Sequence, residues 1–290
     1  MPTTKVLGYT RAMLSTPIRN VSDTARWVAS YRAQESARAD ALFHDPLAER
    51  FAAERGHAIA DLASRHSKWA LVTRTKVIDD LVLHAVAQGT DCVLNLAAGF
   101  DTRPYRLELP SKLAWIEADL GPLIDEKQNL LSDVSPRCQL TREPVDLADS
   151  EARAALLHEV SVGANRVLVI TEGLLLYLES DIVAELARSL AAEPGLHDWI
   201  ADFSSTEIVQ MLKRGMGTAL ANAPFKFIPE GGVTFFEPHG WKAAHTKSLM
   251  REAAKLRRLP LWMRPFGWLP QPKPFSAKGR WSVVVQFERA

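Results

Sequence analysis

Asp91-Cys-Val-Leu-Asn-Leu-Ala-Ala-Gly-Phe-Asp-Thr-Arg-Pro-Tyr-Arg106 is apolar over Cys92–Leu96, turns through small residues to Gly99, and then becomes charged at once. A short apolar strand, a small-residue turn and a polar helix start are how an open α/β sheet offers backbone amides and a positive dipole end to a nucleotide-like ligand. The stretch predicts a parallel sheet with a cofactor at the carboxyl end of this strand.

Downstream, apolar runs at 113–118, 138–142, Val167–Thr171 and 199–203 alternate with helical text, the pattern of a parallel sheet with crossover helices. Ser180–Ala192 illustrates the connections. Ser180 is a candidate N-cap, Ile182, Val183, Leu186 and Leu190 share one face, and Pro194-Gly195 follows. Residues 205–230 are irregular, with Gly215, Gly217, Pro224 and Pro229, and read as an insertion near the site. A Pro-rich stretch at 269–275 leads to a last strand at 281–287, expected to pair antiparallel. Upstream, residues 1–90 read as helix, with apolar spacing in Ala25, Val28 and Ala29 and again in Leu71, Val77, Ile78, Leu81 and Val82.

Composition narrows the class. The 290 residues are 47% hydrophobic and 24% charged, enough to bury a sizeable core. Thirty-five basic against thirty-four acidic residues give a formal charge of +1, so the net charge points to neither nucleic acid nor an anionic membrane surface as partner. Cys92 and Cys138 are too few and too scattered for a disulfide framework or a thiolate metal cage. The eight histidines show no metal-ligand spacing. The opening residues lack a secretory apolar segment and no run is long enough to span a bilayer, so a cytoplasmic location is expected.

The turn Ala97-Ala98-Gly99 has one glycine where a dinucleotide fingerprint has three, which disfavours a pyrophosphate and hence a nicotinamide-dependent oxidoreductase. S-adenosylmethionine has no phosphate; it carries a carboxylate, an ammonium, a sulfonium, a ribose diol and an adenine. Partners for these groups stand where open α/β sheets put their ligands, after successive strands. Asp119, with Glu117 two residues earlier, is placed to accept the ribose hydroxyls, and Asp146-Leu147 to hold the adenine. Glu172 would meet the ammonium, and Arg74 the carboxylate in a two-pronged contact.

The strings Asn95-Leu-Ala-Ala-Gly-Phe-Asp-Thr-Arg103, Trp115-Ile-Glu-Ala-Asp119, Val145-Asp-Leu147 and Thr171-Glu-Gly-Leu-Leu-Leu-Tyr-Leu178 resemble the leucine carboxyl methyltransferase family, a branch of the class I S-adenosylmethionine-dependent methyltransferases. Val21-Ser-Asp-Thr-Ala25, Tyr31-Arg-Ala-Gln-Glu-Ser36 and Asp45-Pro-Leu-Ala48 extend the likeness to the bacterial members, over about residues 20–205. The resemblance implies a doubly wound, mostly parallel seven-stranded sheet, with residues 1–90 as a helical cap. Residues 91–290 then form the cofactor-binding core, with the insertion at about 205–245. It implies that Arg74, Gly99, Asp119, Asp146, Leu147 and Glu172 contact the cofactor and that Tyr177 faces the acceptor. Ala97 and Glu117 are added as cofactor contacts on position. Ala97 departs from the family, which more often has glycine there.

Each residue also has a plainer reading. Asp101 and Arg103 are taken as braces of the loop rather than as chemistry. Asp119 competes with a capping role, and Tyr177 with core packing. The activity expected is O-methylation of a small acid to a methyl ester, since a carboxylate is already ionised at neutral pH and needs no general base. A hydroxyl acceptor would need one, with His239, His245 or Tyr177 as candidates. A protein that binds the cofactor without turnover is the remaining alternative.

Overall fold

The computed structural model describes Ile18 and residues 21–62, 65–216, 223–270, 274 and 279–290. Gly217, Phe275 and most of the Pro-rich run singled out above lie outside the described residues.

Seven strands form one sheet: β1 (Cys92–Leu96), β2 (Ala114–Asp119), β3 (Gln139–Pro144), β4 (Val167–Thr171), β5 (Leu196–Ser204), β6 (Trp241–Ser248) and β7 (Ser282–Arg289). Their order is β3-β2-β1-β4-β5-β7-β6. The first five are parallel, and β7 lies antiparallel between β5 and β6. Every residue of β1 and β4 is buried, which is why both read as unbroken apolar runs: helices cover the two faces of a parallel sheet.

Alternation along β1 assigns those faces. Leu94 and Leu96 point to one side, against Leu156, Leu157 and Val160 of α6 (Ser150–Gly163) and Val183, Leu186 and Leu190 of α7 (Ser180–Ala192). Val93 points to the other, against Val77, Ile78, Leu81 and Val82 of α3 (Arg65–Ala87). α3 thus lies directly on the sheet, and packing joins it to the α/β core although it precede the first strand. The leading helices α1 (Val21–Ser36) and α2 (Ala48–Leu62, broken at Ala53 with φ 46°) instead pack on each other, and α1 also on α3. At the antiparallel end, Trp199 meets Phe236, Trp241 and Phe287 at ring separations of 5.2–5.5 Å.

Two details differ from the sequence reading. Ser180 is the first helical residue of α7, Glu179 occupies the cap position, and no side chain bonds there; α6 has the side-chain cap, with Asp149 accepting from the N–H groups of Glu151 and Ala152. Within the stretch read as an insertion the chain forms β6, whose Lys242, His245 and Thr246 are exposed and whose register with β7 shifts between Ala243 and His245. An exposed edge strand carries no apolar alternation, so nothing in its composition announced it. Among the described residues no helix is long and apolar enough to cross a membrane.

Candidate functional site

The strand order puts β2 and β4 on opposite sides of β1, leaving a crevice at the carboxyl ends of β1 and β4. The chain leaves β1 through Ala97 (φ 53°) and Gly99 (φ 49°), both left-handed. Gly99 adopts this freely, whereas Ala97 holds a Cβ against it at a cost of about 1 kcal/mol.

Asp119 ends β2 beside this turn. Its Oδ2 accepts from the Gly99 N–H at 2.7 Å and its Oδ1 from the Leu120 N–H at 2.8 Å. Burial pushes its pKa up, and the two N–H bonds oppose that. Each oxygen keeps a lone pair for a further donor. Glu117, one pleat back on the same face, is fully buried and spent on Lys127 at 2.8 Å and Arg142 at 2.9 Å. It braces β3 and α5 (Gly121–Leu130) against β2, and the structure gives it no share in Asp119's position. Asp146 is exposed on the loop after β3, its Oδ1 accepting from the Ala148 N–H at 2.9 Å. Leu147 beside it is partly buried against the core.

At the ends of β4 and β5 the site is ionic. Arg74 of α3 donates from Nε to Glu172 at 3.0 Å and from Nη1 to Asp202 at 2.9 Å. Asp202 also accepts from the Gly173 N–H at 2.6 Å. Gly173 takes the left-handed φ of 68°, which glycine adopts without strain, beside the Arg74 guanidinium. Arg103, 2% exposed, lies 2.8 Å from Glu172, 2.7 Å from Asp101 and 2.7 Å from Asp79. Arg106 adds a 2.6 Å contact to Asp79, and Asn95 donates to Asp101 at 2.8 Å. Burial alone would raise the carboxyl of Glu172, but Arg103 and Arg74 hold it below its usual range; Asp101 is lowered likewise, by Arg103 first. Asp101 and Arg103 are thus engaged with each other, and Arg103 also with Asp79 and Glu172.

Tyr177 lies on the 3-10 turn Leu175–Tyr177 that follows β4. Its ring sits 5.6 Å from Phe225, beside an apolar cluster of Trp27, Tyr31, Val72 and Val209. Its hydroxyl shares a hydrogen bond with Thr24 of α1, and burial pushes its pKa up. The tyrosine thus stands where the charged and apolar halves meet.

Asp202 and Asp79 were missed in the sequence. Asp202 obeys the same rule as Asp119 and Glu172, an acid near the carboxyl end of a strand, and that signal would have found it. Of the two histidines considered as bases, His239 packs on Phe235 and His245 faces His84. Ser30, His57 and Glu49 form a chain of 2.8 Å bonds resembling a catalytic relay, but Ser30 is wholly buried and no acceptor reaches it.

A sequence model of the leucine carboxyl methyltransferase family matches residues 25–191. A protein of Streptomyces coelicolor, named as a candidate S-adenosyl-L-methionine-dependent methyltransferase, is 33% identical over 266 residues, spanning 86% of this chain and 90% of its own. A Mycobacterium tuberculosis protein named in the same way is 30% identical over 256 residues, 78% of each chain. Among solved structures, a candidate methyltransferase from Thermobifida fusca superposes with a TM-score of 0.57 at 14% identity, covering 97% and 98% of the two chains. A Streptomyces avermitilis protein does so at 0.59 and 13%, covering 92% and 97%. These two share the fold.

Proposed function

The chain belongs to the leucine carboxyl methyltransferase family and is an S-adenosyl-L-methionine-dependent methyltransferase; from that premise we propose that it methylates a carboxylate of a small-molecule acceptor to the methyl ester. The cofactor supplies an electrophilic methyl on a sulfonium. The residues fit it by charge. Around Glu172, the guanidiniums of Arg74 and Arg103 and the carboxylates of Glu172, Asp202 and Asp101 stand together, groups of both signs for the ammonium and the carboxylate of the cofactor.

In this reading Glu172 takes the ammonium and Arg74 the carboxylate, the two ends of an ion pair opening onto the two ends of an amino acid. Asp119 receives the ribose hydroxyls on its remaining lone pairs, and Ala97 and Gly99 shape the turn beneath them. Asp146 and Leu147 hold the adenine, while Glu117 drops out because its oxygens are engaged in the core. Asp202 keeps Arg74 aimed. α1 and α2, packed on each other rather than on the sheet, act as the cap.

The observation that carries the carboxylate is protonation. Burial keeps the Tyr177 hydroxyl protonated at neutral pH, and among the described residues no histidine contacts it, Arg74 or Asp202. The carboxylates beside it, Glu172 and Asp202, are engaged by Arg74 and Arg103 rather than left to take a proton, which suits an acceptor that arrives ionised. Tyr177 orients that acceptor for in-line attack, and catalysis is chiefly positioning.

Labelled cofactor with a panel of small carboxylic and phenolic acceptors tests this. Alkali-labile label released as methanol is expected; alkali-stable ether would turn the reading to a hydroxyl acceptor. Cofactor binding with no transfer to any acceptor would leave a binding protein.

A further inference from the structure

Eight large apolar side chains are exposed among the described residues, and five fall within nine positions: Leu261, Trp262, Phe266, Trp268 and Leu269, with Leu261 76% and Trp268 69% exposed. They lie on the 3-10 turn Leu261–Met263, on α10 (Arg264–Trp268) and, for Leu269, just after it, punctuated by Pro260, Pro265 and Pro270. The segment is pinned from below. Gly267 is buried so closely on the preceding helix α9 (Leu249–Lys255) that a Cβ would come within 2.4 Å of Ala254. Just after α9, Arg258 reaches Glu35 of α1 at 2.7 Å and Asp40 at 3.2 Å. The apolar side chains are thus held outward by a buried contact beneath them.

Their charge setting is one-sided. Residues 253–287 contain seven basic residues and no acidic one. Arg257 and Arg264 are exposed in the same stretch, as is Lys255, which pairs with Glu252 at 2.8 Å. The +1 charge of the whole chain conceals this local excess. A second copy of the chain would oppose the excess with another. The first twenty residues, with Lys5, Arg11, Arg19 and no acid, would not neutralise it either. Tryptophan beside aliphatic and basic side chains, without acids, is the composition that settles at the headgroup level of an anionic leaflet.

We propose that this ledge docks on the surface of an anionic phospholipid bilayer, the apolar side chains entering the headgroup boundary and the basic ones meeting phosphates. The full chain is floated with vesicles of phosphatidylcholine alone and with phosphatidylglycerol added, beside Trp262→Ser/Trp268→Ser and Arg257→Gln/Arg264→Gln. Tm and cofactor affinity serve as the fold controls. Binding to the anionic vesicles is expected, at least about tenfold weaker in each double variant and falling as salt rises. No binding, equal binding to neutral vesicles, or undiminished binding of both variants overturns the proposal. Self-association in ultracentrifugation that disappears in the tryptophan variant would assign the ledge to contacts between copies instead.

Discussion

The carboxyl ends of β4 and β5 gather Arg74, Arg103, Glu172, Asp202 and their partners into one ionic cluster, whereas the wall around Tyr177 is Trp27, Tyr31, Val72, Val209 and Phe225. In the first half Asp202 lies on β5 and Glu172 just after β4, where ion pairs tie them to Arg74 of α3 and to Arg103. The second is assembled from α1, α3, α8 (Thr206–Met216) and the chain near residue 225, whose Lys226 N–H donates to the Leu176 carbonyl on the turn that carries Tyr177. In the proposed reading the ionic half holds the cofactor, and the apolar half, where substitutions disturb the cluster least, selects the acceptor.

The largest blow to this contrast would come from Arg103→Met. It strands three carboxylates in the interior, and a loss of about 3–5 kcal/mol in chemical denaturation is expected; a loss under about 1 kcal/mol would mean that the ion pairs do not hold the first half together. Next in size, Asp119→Ala is expected to weaken cofactor binding by about 2–3 kcal/mol in calorimetry, roughly 30- to 100-fold. An unchanged affinity would remove Asp119 from the binding half.

Acid sharpens the same contrast. Glu172 and Asp101 are held below their usual ranges, so the folded state binds fewer protons there. Their stabilisation is complete above the ordinary carboxylate range and drains away as pH falls through it. Asp119 and Glu117, raised by burial, act with the opposite sign. The clean readout is therefore the stability difference between the wild type and Glu172→Gln, expected to be constant above about pH 5 and to shrink below about 4.5. A difference that grows toward acid contradicts it.

Tyr177→Phe probes the other half. Turnover is expected to fall about tenfold while cofactor affinity stays within about twofold, the loss of one hydrogen bond to a charged acceptor. Equal losses in both would show that the halves are one unit, and full turnover would remove Tyr177 from the reaction. Smallest is Ala97→Gly. Relief of left-handed strain, set against the greater freedom of glycine in the unfolded chain, leaves a gain of no more than about 1 kcal/mol in thermal unfolding. A clear loss would mean that the Ala97 methyl packs usefully in the turn.

The same divide governs what the sequence made legible. β1 and β4 stood out because a strand covered on both faces must be apolar throughout, and Asp119 and Glu172 because they end such strands. Glu117 and Asp119 were inseparable in one dimension, since a pleat of period two gives both the same side; only depth distinguishes them. Asp79 owes its place to an arginine 24 residues away, a relation that no spacing encodes, whereas Asp202 was open to the strand-end rule that found Asp119. β6 stayed hidden because an edge strand facing water has the composition of a loop.

That inconspicuous strand closes the sheet against polymerisation. Its outer side carries Lys242 and His245 in the open, and its register slips just before His245. An incoming strand meets charge and a broken ladder where it would need a straight row of peptide groups. At the far edge, β3 runs Gln139-Leu-Thr-Arg-Glu-Pro144 and ends on a residue with no N–H to offer. Both edges of the sheet are therefore poor templates for a strand from another molecule.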